Sequence, residues 1–127
     1  MAPGRRDIDP AEMRRFLPQI YMFDVVEPGP RFRFRLVGTA VASIIGDRTG
    51  QFIEQTLTPD VLPRHTAHMI DVTENLAVRY LIADLAWLDR PHIRFHRLLL
   101  PLSDDQKRAN ILLGIAYYVG VGEKRQG

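Results

Sequence analysis

The chain has 127 residues, a formal net charge of +2 and no cysteine. A chain of this length forms one domain and buries roughly two-thirds of the surface that it exposes when unfolded. The lack of cysteine excludes disulfide bonds, zinc–thiolate sites and a cysteine nucleophile. No apolar run reaches the roughly 20 residues that span a bilayer, and the first residues lack a secretory-signal core. We therefore expect a cytoplasmic protein with no membrane partner.

The positive charge is carried almost entirely by arginine, since Lys107 and Lys124 are the only lysines. Arginine favours planar partners such as carboxylates, phosphates and aromatic rings. Outside the predicted strands, no basic stripe carries the interleaved exposed aromatic residues that are typical of nucleic-acid surfaces. The sequence therefore gives no support for nucleic acid as a partner.

The first elements in chain order are a helix and a β-hairpin. Asp9 and Pro10 are typical of a helix start, and Pro18 ends the helix because it disfavours helical geometry at the preceding residue. Residues 20–26 and 31–37 predict two strands joined by a Pro-Gly turn, so the two strands should pair antiparallel.

The second strand alternates apolar residues with arginine. Because successive side chains of a strand point to opposite sides, Phe32, Phe34 and Leu36 should share one face. The opposite face should carry Arg31, Arg33 and Arg35.

Two helices are predicted after the hairpin. A Gly-Thr pair opens a short apolar helix over residues 40–45, and Gly46 follows where a left-handed residue ends a helix. Residues 52–57 remain ambiguous between helix and strand. A longer helix is predicted over residues 63–75. Its inward-facing positions are Met69, Val72 and Leu76.

Three further strands are predicted over residues 77–88, 93–102 and 109–119. The segments between them are short and polar, as in antiparallel hairpins. The last strand is apolar on both faces, whereas a sheet with one solvated face alternates polar and apolar residues. Its outer face must therefore be covered, by the N-terminal helix or by a second copy of the chain, and we predict a homodimer.

Three segments together resemble a known family. They are the helix signal over residues 7–19, the run RFRFRLVGTAVASIIGDRTG over residues 31–50, and LLLPLSDD over residues 98–105. This pattern is similar to that of the bacterial PAS-like family of the PAS_5 type. The resemblance implies an α+β fold, in which a five-stranded antiparallel sheet carries helices on one face and an N-terminal helix.

The domain division that follows is an N-terminal helical cap over residues 1–19, a PAS-like domain over 20–120 and a tail over 121–127. The resemblance implies a sensory or regulatory module rather than an enzyme, and no catalytic motif opposes this interpretation. Such a module would bind a small molecule between the sheet and the helices and signal through a partner protein that the sequence does not identify.

Two alternatives to a ligand-binding sensor stay open. One is a dimerisation scaffold without a ligand, and the other is a sensor that binds haem or flavin. Light-sensing relatives attach a chromophore through a cysteine, so covalent attachment of that kind is excluded here. The cofactor therefore stays unknown.

The predicted pocket has an apolar wall and polar groups. We expect the wall to include Phe34, Leu36, Met69 and Trp87. We expect the polar groups to come from Arg35 or His96.

Two interpretations of Arg35 are open. As part of the family motif, it could clamp a carboxylate ligand through two hydrogen bonds. Structural pairing is the favoured interpretation, in a salt bridge to Asp24 or Asp47. Structural pairing is also the favoured interpretation of His96 and Arg97, whose side chains point in opposite directions on the penultimate strand.

His65 and His68 lie one turn apart on the longer predicted helix, and Asp71 follows three residues after His68. A structural metal site needs about four ligands, so we interpret the two histidines as solvent-facing. The alternative is that one of them is an axial haem ligand, as in haem-binding PAS domains.

Overall fold

The computed structural model describes residues 14–120, apart from the side chains of Ala86 and Pro91. The strands are β1 (Ile20–Val26), β2 (Arg31–Val37), β3 (Arg79–Leu85), β4 (Arg90–Leu102) and β5 (Ile111–Gly120), and the helices are α1 (Thr39–Ile45) and α2 (Leu62–Asn75). Single 3₁₀ turns occupy Leu17–Gln19, Ile53–Gln55 and Ala86–Leu88. The predicted start of the N-terminal helix lies outside the described residues.

The strands form one five-stranded sheet in the order β2-β1-β5-β4-β3, and every neighbouring pair is antiparallel. The predicted α+β class with a five-stranded antiparallel sheet is therefore confirmed, whereas Leu17–Gln19, predicted to end the N-terminal helix, form a 3₁₀ turn. The predicted bounds of β1 and β2 agree with the structure. The β3–β4 connection differs, because residues 86–88 form a 3₁₀ turn and Arg90, predicted in the loop, already begins β4.

The main core lies between one face of the sheet, here called the inner face, and the two helices. Fully buried members include Val41 on α1, Met69 and Val72 on α2, and Leu99 and Leu112 on the sheet. Met69 and Val72 were predicted to face inward and do so. The spacing of apolar residues along α2 therefore fixes which side of that helix meets the sheet.

Gly38 is required where the chain passes from β2 into α1. Its N–H donates a hydrogen bond to the Ile20 carbonyl oxygen at 2.7 Å. A Cβ atom there would lie 2.1 Å from the Leu17 carbonyl oxygen and 2.6 Å from that of Ile20. Only glycine allows the start of α1 to lie so close to the 3₁₀ turn before β1.

A β-bulge interrupts the β1–β2 pairing. Phe23 is opposite Phe34 and Met22 is opposite Leu36, so Arg35 is the extra residue in β2. An extra residue reverses the alternation of side chains after it. The prediction that Leu36 shares a face with Phe34 was therefore wrong; Leu36 lies on the opposite face and is 38% exposed.

The outer face of the sheet is also apolar, as predicted for β5. A second buried cluster lies there, formed by Ile20, Leu102, Ile111 and Leu113. Towards the other end of this face, the side chains of Tyr80 and Tyr117 are 58% and 50% exposed. Among residues 14–120, no helix is long and apolar enough to cross a membrane.

Candidate ligand-binding cavity

A cavity of about 50 Å³ lies between the inner face of the sheet and the two helices. A volume of this size holds only a few water molecules. The walls are formed by Tyr21, Phe23, Phe34, Val41, Ile45, Ile53, Thr56, Leu57, His65, Met69, Leu85, Trp87, Phe95, Arg97 and Tyr118. The cavity is therefore lined by apolar and aromatic side chains with a few polar groups, which is the usual composition of a small-molecule site.

Arg97 is the one permanently charged side chain in this wall. It extends from β4 on the inner face and is only 3% exposed. Its Nη2 donates a hydrogen bond to Nδ1 of His68 at 2.6 Å, and its guanidinium lies 5.9 Å from the centre of the Phe95 ring. The ion pairs that the structure shows among residues 14–120 involve other arginines.

His65 and His68 face the sheet from successive turns of α2. His65 is 5% exposed, and its ring stacks on that of Phe95 with centroids 6.1 Å apart. The prediction that both histidines face solvent was wrong. His65 lies four residues before Met69 and seven before Val72, so it belongs to the buried stripe of the helix.

Both histidines are held in the neutral form. Burial and, to a lesser extent, the positive charge of Arg97 lower the pKa of His65 to about 3. The pKa of His68 falls to about 4 for the same two reasons, with burial the larger. The two imidazoles therefore add hydrogen-bonding groups to the cavity region without adding charge at neutral pH.

Two tyrosines complete the polar groups of the cavity wall. Burial raises the pKa of the Tyr21 hydroxyl, although a hydrogen bond with Arg97 and its charge act in the opposite direction. Burial also raises the pKa of Tyr118, whose ring stacks on Phe95 with centroids 5.9 Å apart. Both hydroxyls stay protonated at neutral pH, so neither supplies a negative charge to balance Arg97.

Three nitrogen atoms in and around the cavity are buried and lack a hydrogen-bond partner among the described residues. They are Nε of Arg97, Nε1 of Trp87 and Nε2 of His68. The first two belong to the cavity wall, whereas His68 lies behind Arg97. Buried polar atoms without a partner are uncommon, because each forfeits its hydrogen bonds to water.

The structure places half of the predicted pocket residues at the cavity. Phe34, Met69 and Trp87 line it. Arg35, Leu36 and His96 do not, for different reasons. Leu36 is displaced by the bulge, and His96 lies on the outer face, where its ring nitrogen contacts the Tyr80 hydroxyl.

Arg35 is a surface residue that pairs with Asp24. Its Nη1 lies 2.9 Å from Oδ1 of Asp24, and Arg33 contacts the other carboxylate oxygen at 3.4 Å. The favoured structural interpretation of Arg35 is therefore correct, with Asp24 as the partner. Asp47 instead accepts hydrogen bonds from Thr49.

The cavity residue that sequence reasoning undervalued is Arg97. The signal was present, because Arg97 lies two residues from Phe95 and two from Leu99, and residues so spaced share a face of a strand. Both neighbours are buried on the inner face. The position of Arg97 in the apolar stripe of β4 could have predicted a buried cation.

A second, more open concavity lies on the outer face and is here called the outer groove. Its volume is about 600 Å³, and its walls are formed by Phe16, Tyr80, His96, Leu98, Ile115, Tyr117 and Val119. Phe16 directly precedes the 3₁₀ turn that leads into β1. The outer groove therefore borders the 3₁₀ turn that precedes β1.

Within residues 14–120, no three histidine or acidic side chains converge as a metal site would require. The cavity region instead combines one cation with neutral hydrogen-bonding groups. That composition suits an organic molecule with an acceptor group more than a cation.

The sheet order, the helices on one face and the cavity beneath them define the class of fold. The family model described as PAS domain matches residues 1–117. The chain belongs to this PAS domain family, and as a PAS domain it is a sensory or regulatory module. No curated protein and no solved structure gives a significant match to the chain.

Proposed function

We propose that this PAS domain is a sensor that binds a small molecule in the inner cavity and transmits binding through protein–protein contacts. The observation that carries the proposal is the buried Arg97 in an apolar cavity wall, without an acidic partner among residues 14–120. A buried charge costs folding free energy unless it is paired. A ligand that pairs with Arg97 in the cavity would offset this cost.

The size of the cavity limits the class of ligand. Sites for drug-sized molecules occupy roughly 300–1,000 Å³, whereas this cavity measures about 50 Å³. A haem or a flavin would require large displacements of α1 and α2. His65, one of the two histidines considered as an axial ligand, is already stacked on Phe95. We therefore favour a molecule of a few non-hydrogen atoms over either cofactor.

We propose no catalytic role for the cavity, because its two neighbouring histidines are unsuited to acid–base chemistry at neutral pH. Nδ1 of His68 is already occupied by Arg97, and both histidines have pKa values far below neutrality. A general base works best when its pKa lies near the operating pH.

The experiment that tests ligand binding is an NMR screen of small fragments, neutral and anionic, against the isotopically labelled protein. We expect some fragments to shift the backbone signals of residues that line the cavity. Leu57→Trp, which fills the cavity from its wall, should abolish these shifts. Leu98→Trp makes the same change in the outer groove and should preserve them. If no fragment shifts the cavity residues, the sensor proposal is wrong.

We also propose that the chain forms a homodimer through the outer groove. The supporting observation is the exposed apolar surface there, where Tyr80, Tyr117 and Phe16 are each at least 40% exposed. Exposed apolar patches of this kind mark interaction surfaces. A dimer would give the sensor a surface through which to act on a partner protein.

Sedimentation equilibrium tests this proposal. The unmodified protein should sediment as a dimer, and Tyr117→Glu should shift it to the monomer by placing a charge in the outer groove. Ala67→Glu, at an exposed position of α2, is the matched control and should remain dimeric. If the unmodified protein sediments as a monomer, the proposal of a dimer through the outer groove is wrong.

A further inference from the structure

The buried polar atoms without a partner in and around the inner cavity are all hydrogen-bond donors, and this identifies a class of ligand. Arg97 can only donate hydrogen bonds, and its contact at Nδ1 of His68 therefore makes that nitrogen an acceptor. In a neutral imidazole the proton then resides on Nε2. Nε2 of His68 is thus a donor, as are Nε of Arg97 and Nε1 of Trp87.

All three buried nitrogens without a partner are consequently donors. The uncompensated charge beside them is positive, because Arg97 is permanently protonated and the neighbouring histidines are neutral. Two of these donors, Nε of Arg97 and Nε1 of Trp87, belong to side chains of the cavity wall, and a ligand that pairs with them must offer acceptors and a negative charge. It must also present apolar atoms to rings such as Phe34 and Phe95.

We propose that the cavity binds a small monocarboxylate, whose carboxylate group pairs with Arg97 and whose short aliphatic part contacts the aromatic wall. The proposal rests on the sensor function proposed above and names its ligand class. Guanidinium and carboxylate groups match in shape, and Nε–H of Arg97 has no other acceptor. The cavity of about 50 Å³ restricts the aliphatic part to a short chain.

Inorganic anions fit this environment less well. Phosphate and sulfate carry acceptors on every side, and most of those acceptors would face the apolar wall without a partner. A carboxylate concentrates its acceptors at one end, which agrees with a wall whose other members include the apolar residues Phe23, Val41 and Met69. One charged group among mostly apolar side chains therefore matches a short molecule with a single charged end.

The test compares sodium propionate with propionamide, its neutral analogue of nearly the same shape. The protein is prepared in a buffer without carboxylates, and both compounds are titrated at constant ionic strength. We expect propionate to shift the NMR signals of cavity residues and to raise Tm with increasing concentration. Propionamide should bind at least about tenfold more weakly, because it lacks the charge that strengthens hydrogen bonds to Arg97.

The variant Arg97→Met tests the proposed partner, with Arg79→Met as the matched control. Arg79 is a surface arginine that pairs with Asp71. We expect Arg97→Met to weaken propionate binding by about tenfold or more, and Arg79→Met to leave it unchanged. The comparison of propionate with propionamide on the unmodified protein stands even if Arg97→Met does not fold.

Each result supports or overturns the carboxylate proposal. Equal binding of propionate and propionamide at the cavity would overturn it while leaving the sensor function intact. Undiminished propionate binding by Arg97→Met would also overturn it. If acetate, propionate and butyrate all fail to shift the cavity residues while neutral fragments do so, the ligand class is wrong. If no compound of either kind reaches the cavity, the sensor proposal itself fails.

Discussion

The guanidinium group of Arg97 donates a hydrogen bond to Nδ1 of His68, with Nη2 and Nδ1 2.6 Å apart. This bond joins β4 to α2, the two elements on opposite sides of the main core. It also fixes the tautomer of His68 and opposes its protonation, because a protonated imidazole has no acceptor nitrogen. Arg97 therefore connects the charged group of the cavity wall to α2, the helix that covers the cavity.

The two neutral histidines predict sensitivity to acid. Their pKa values are lowered in the folded state from 6.5 to about 3 for His65 and about 4 for His68. Their contribution to stability is therefore complete above pH 6.5 and is lost as the pH falls from 6.5 towards about 4 for His68 and about 3 for His65. At pH 5 protonation of the unfolded chain lowers the free energy of unfolding by about 2 kcal/mol for His65. The loss for His68 is smaller, because solvent reaches it.

Urea unfolding between pH 8 and pH 5 measures this loss. His65→Leu should reduce the pH dependence by about 2 kcal/mol, since the unfolded variant has one fewer proton to bind. His92→Leu, at an exposed position, is the matched control. An unchanged pH dependence in His65→Leu would show that His65 is not held neutral in the fold.

Arg97 should lower the stability of the ligand-free protein. Replacing a buried ion pair by apolar residues of similar size is often neutral or stabilising by about 1–4 kcal/mol, and Arg97 lacks even the attraction of an acidic partner among residues 14–120. We expect Arg97→Met, in a buffer without carboxylates, to raise the free energy of unfolding by about 1 kcal/mol. Arg79→Met should change it by less than about 0.5 kcal/mol, as is common for surface substitutions. Clear destabilisation of Arg97→Met would indicate that the contacts with His68 and Tyr21 outweigh the cost of the charge.

Gly38→Ala should destabilise the fold severely. The added Cβ would meet three backbone carbonyl oxygens, and the farthest of these is 2.7 Å away. Backbone cannot rotate aside as a side chain can, so we expect a loss of more than about 3 kcal/mol, at the upper end of single substitutions. The control is Gly29→Ala, where φ is +70° but nothing lies within 4 Å. Its cost should stay near 1 kcal/mol, the usual strain of a left-handed residue. Thermal unfolding of both variants tests this account. An equal fall in their Tm values would contradict it.

Arg35→Met should have little effect, although Arg35 belongs to the family motif. Its side chain is 45% exposed, and salt bridges between exposed groups contribute about 0–1 kcal/mol. We expect a small loss in the free energy of unfolding and no change in propionate binding. Titration of this variant with propionate, beside Arg97→Met, shows which of the two arginines meets a carboxylate. Weakened binding by Arg35→Met alone would restore the interpretation of Arg35 as the ligand clamp.

Sequence reasoning predicted the sheet, the helices and part of the cavity because those features follow from periodicity. The two apolar faces predicted for β5 and the helical spacing of Met69 and Val72 agree with the structure. Alternation failed at Leu36, because the extra residue at Arg35 belongs to the pairing of two strands and leaves no mark in β2 alone.

The polar part of the cavity was harder to predict. Whether a histidine on an amphipathic helix is buried depends on what packs over it, and His65 is covered by Phe95 from β4. Likewise, the burial of Arg97 follows from its place between Phe95 and Leu99, but its lack of an acidic partner depends on every element around it. Such properties arise from tertiary structure and cannot be assigned to one segment.

Trp87 is the only tryptophan of the chain, and it lies in the wall of the cavity. Any intrinsic tryptophan fluorescence of the protein therefore originates at the cavity itself. Its indole N–H has no hydrogen-bond partner among residues 14–120 and would gain one from a bound acceptor. We therefore expect a ligand in the cavity to change the emission spectrum of the unlabelled protein, so that no dye needs to be attached.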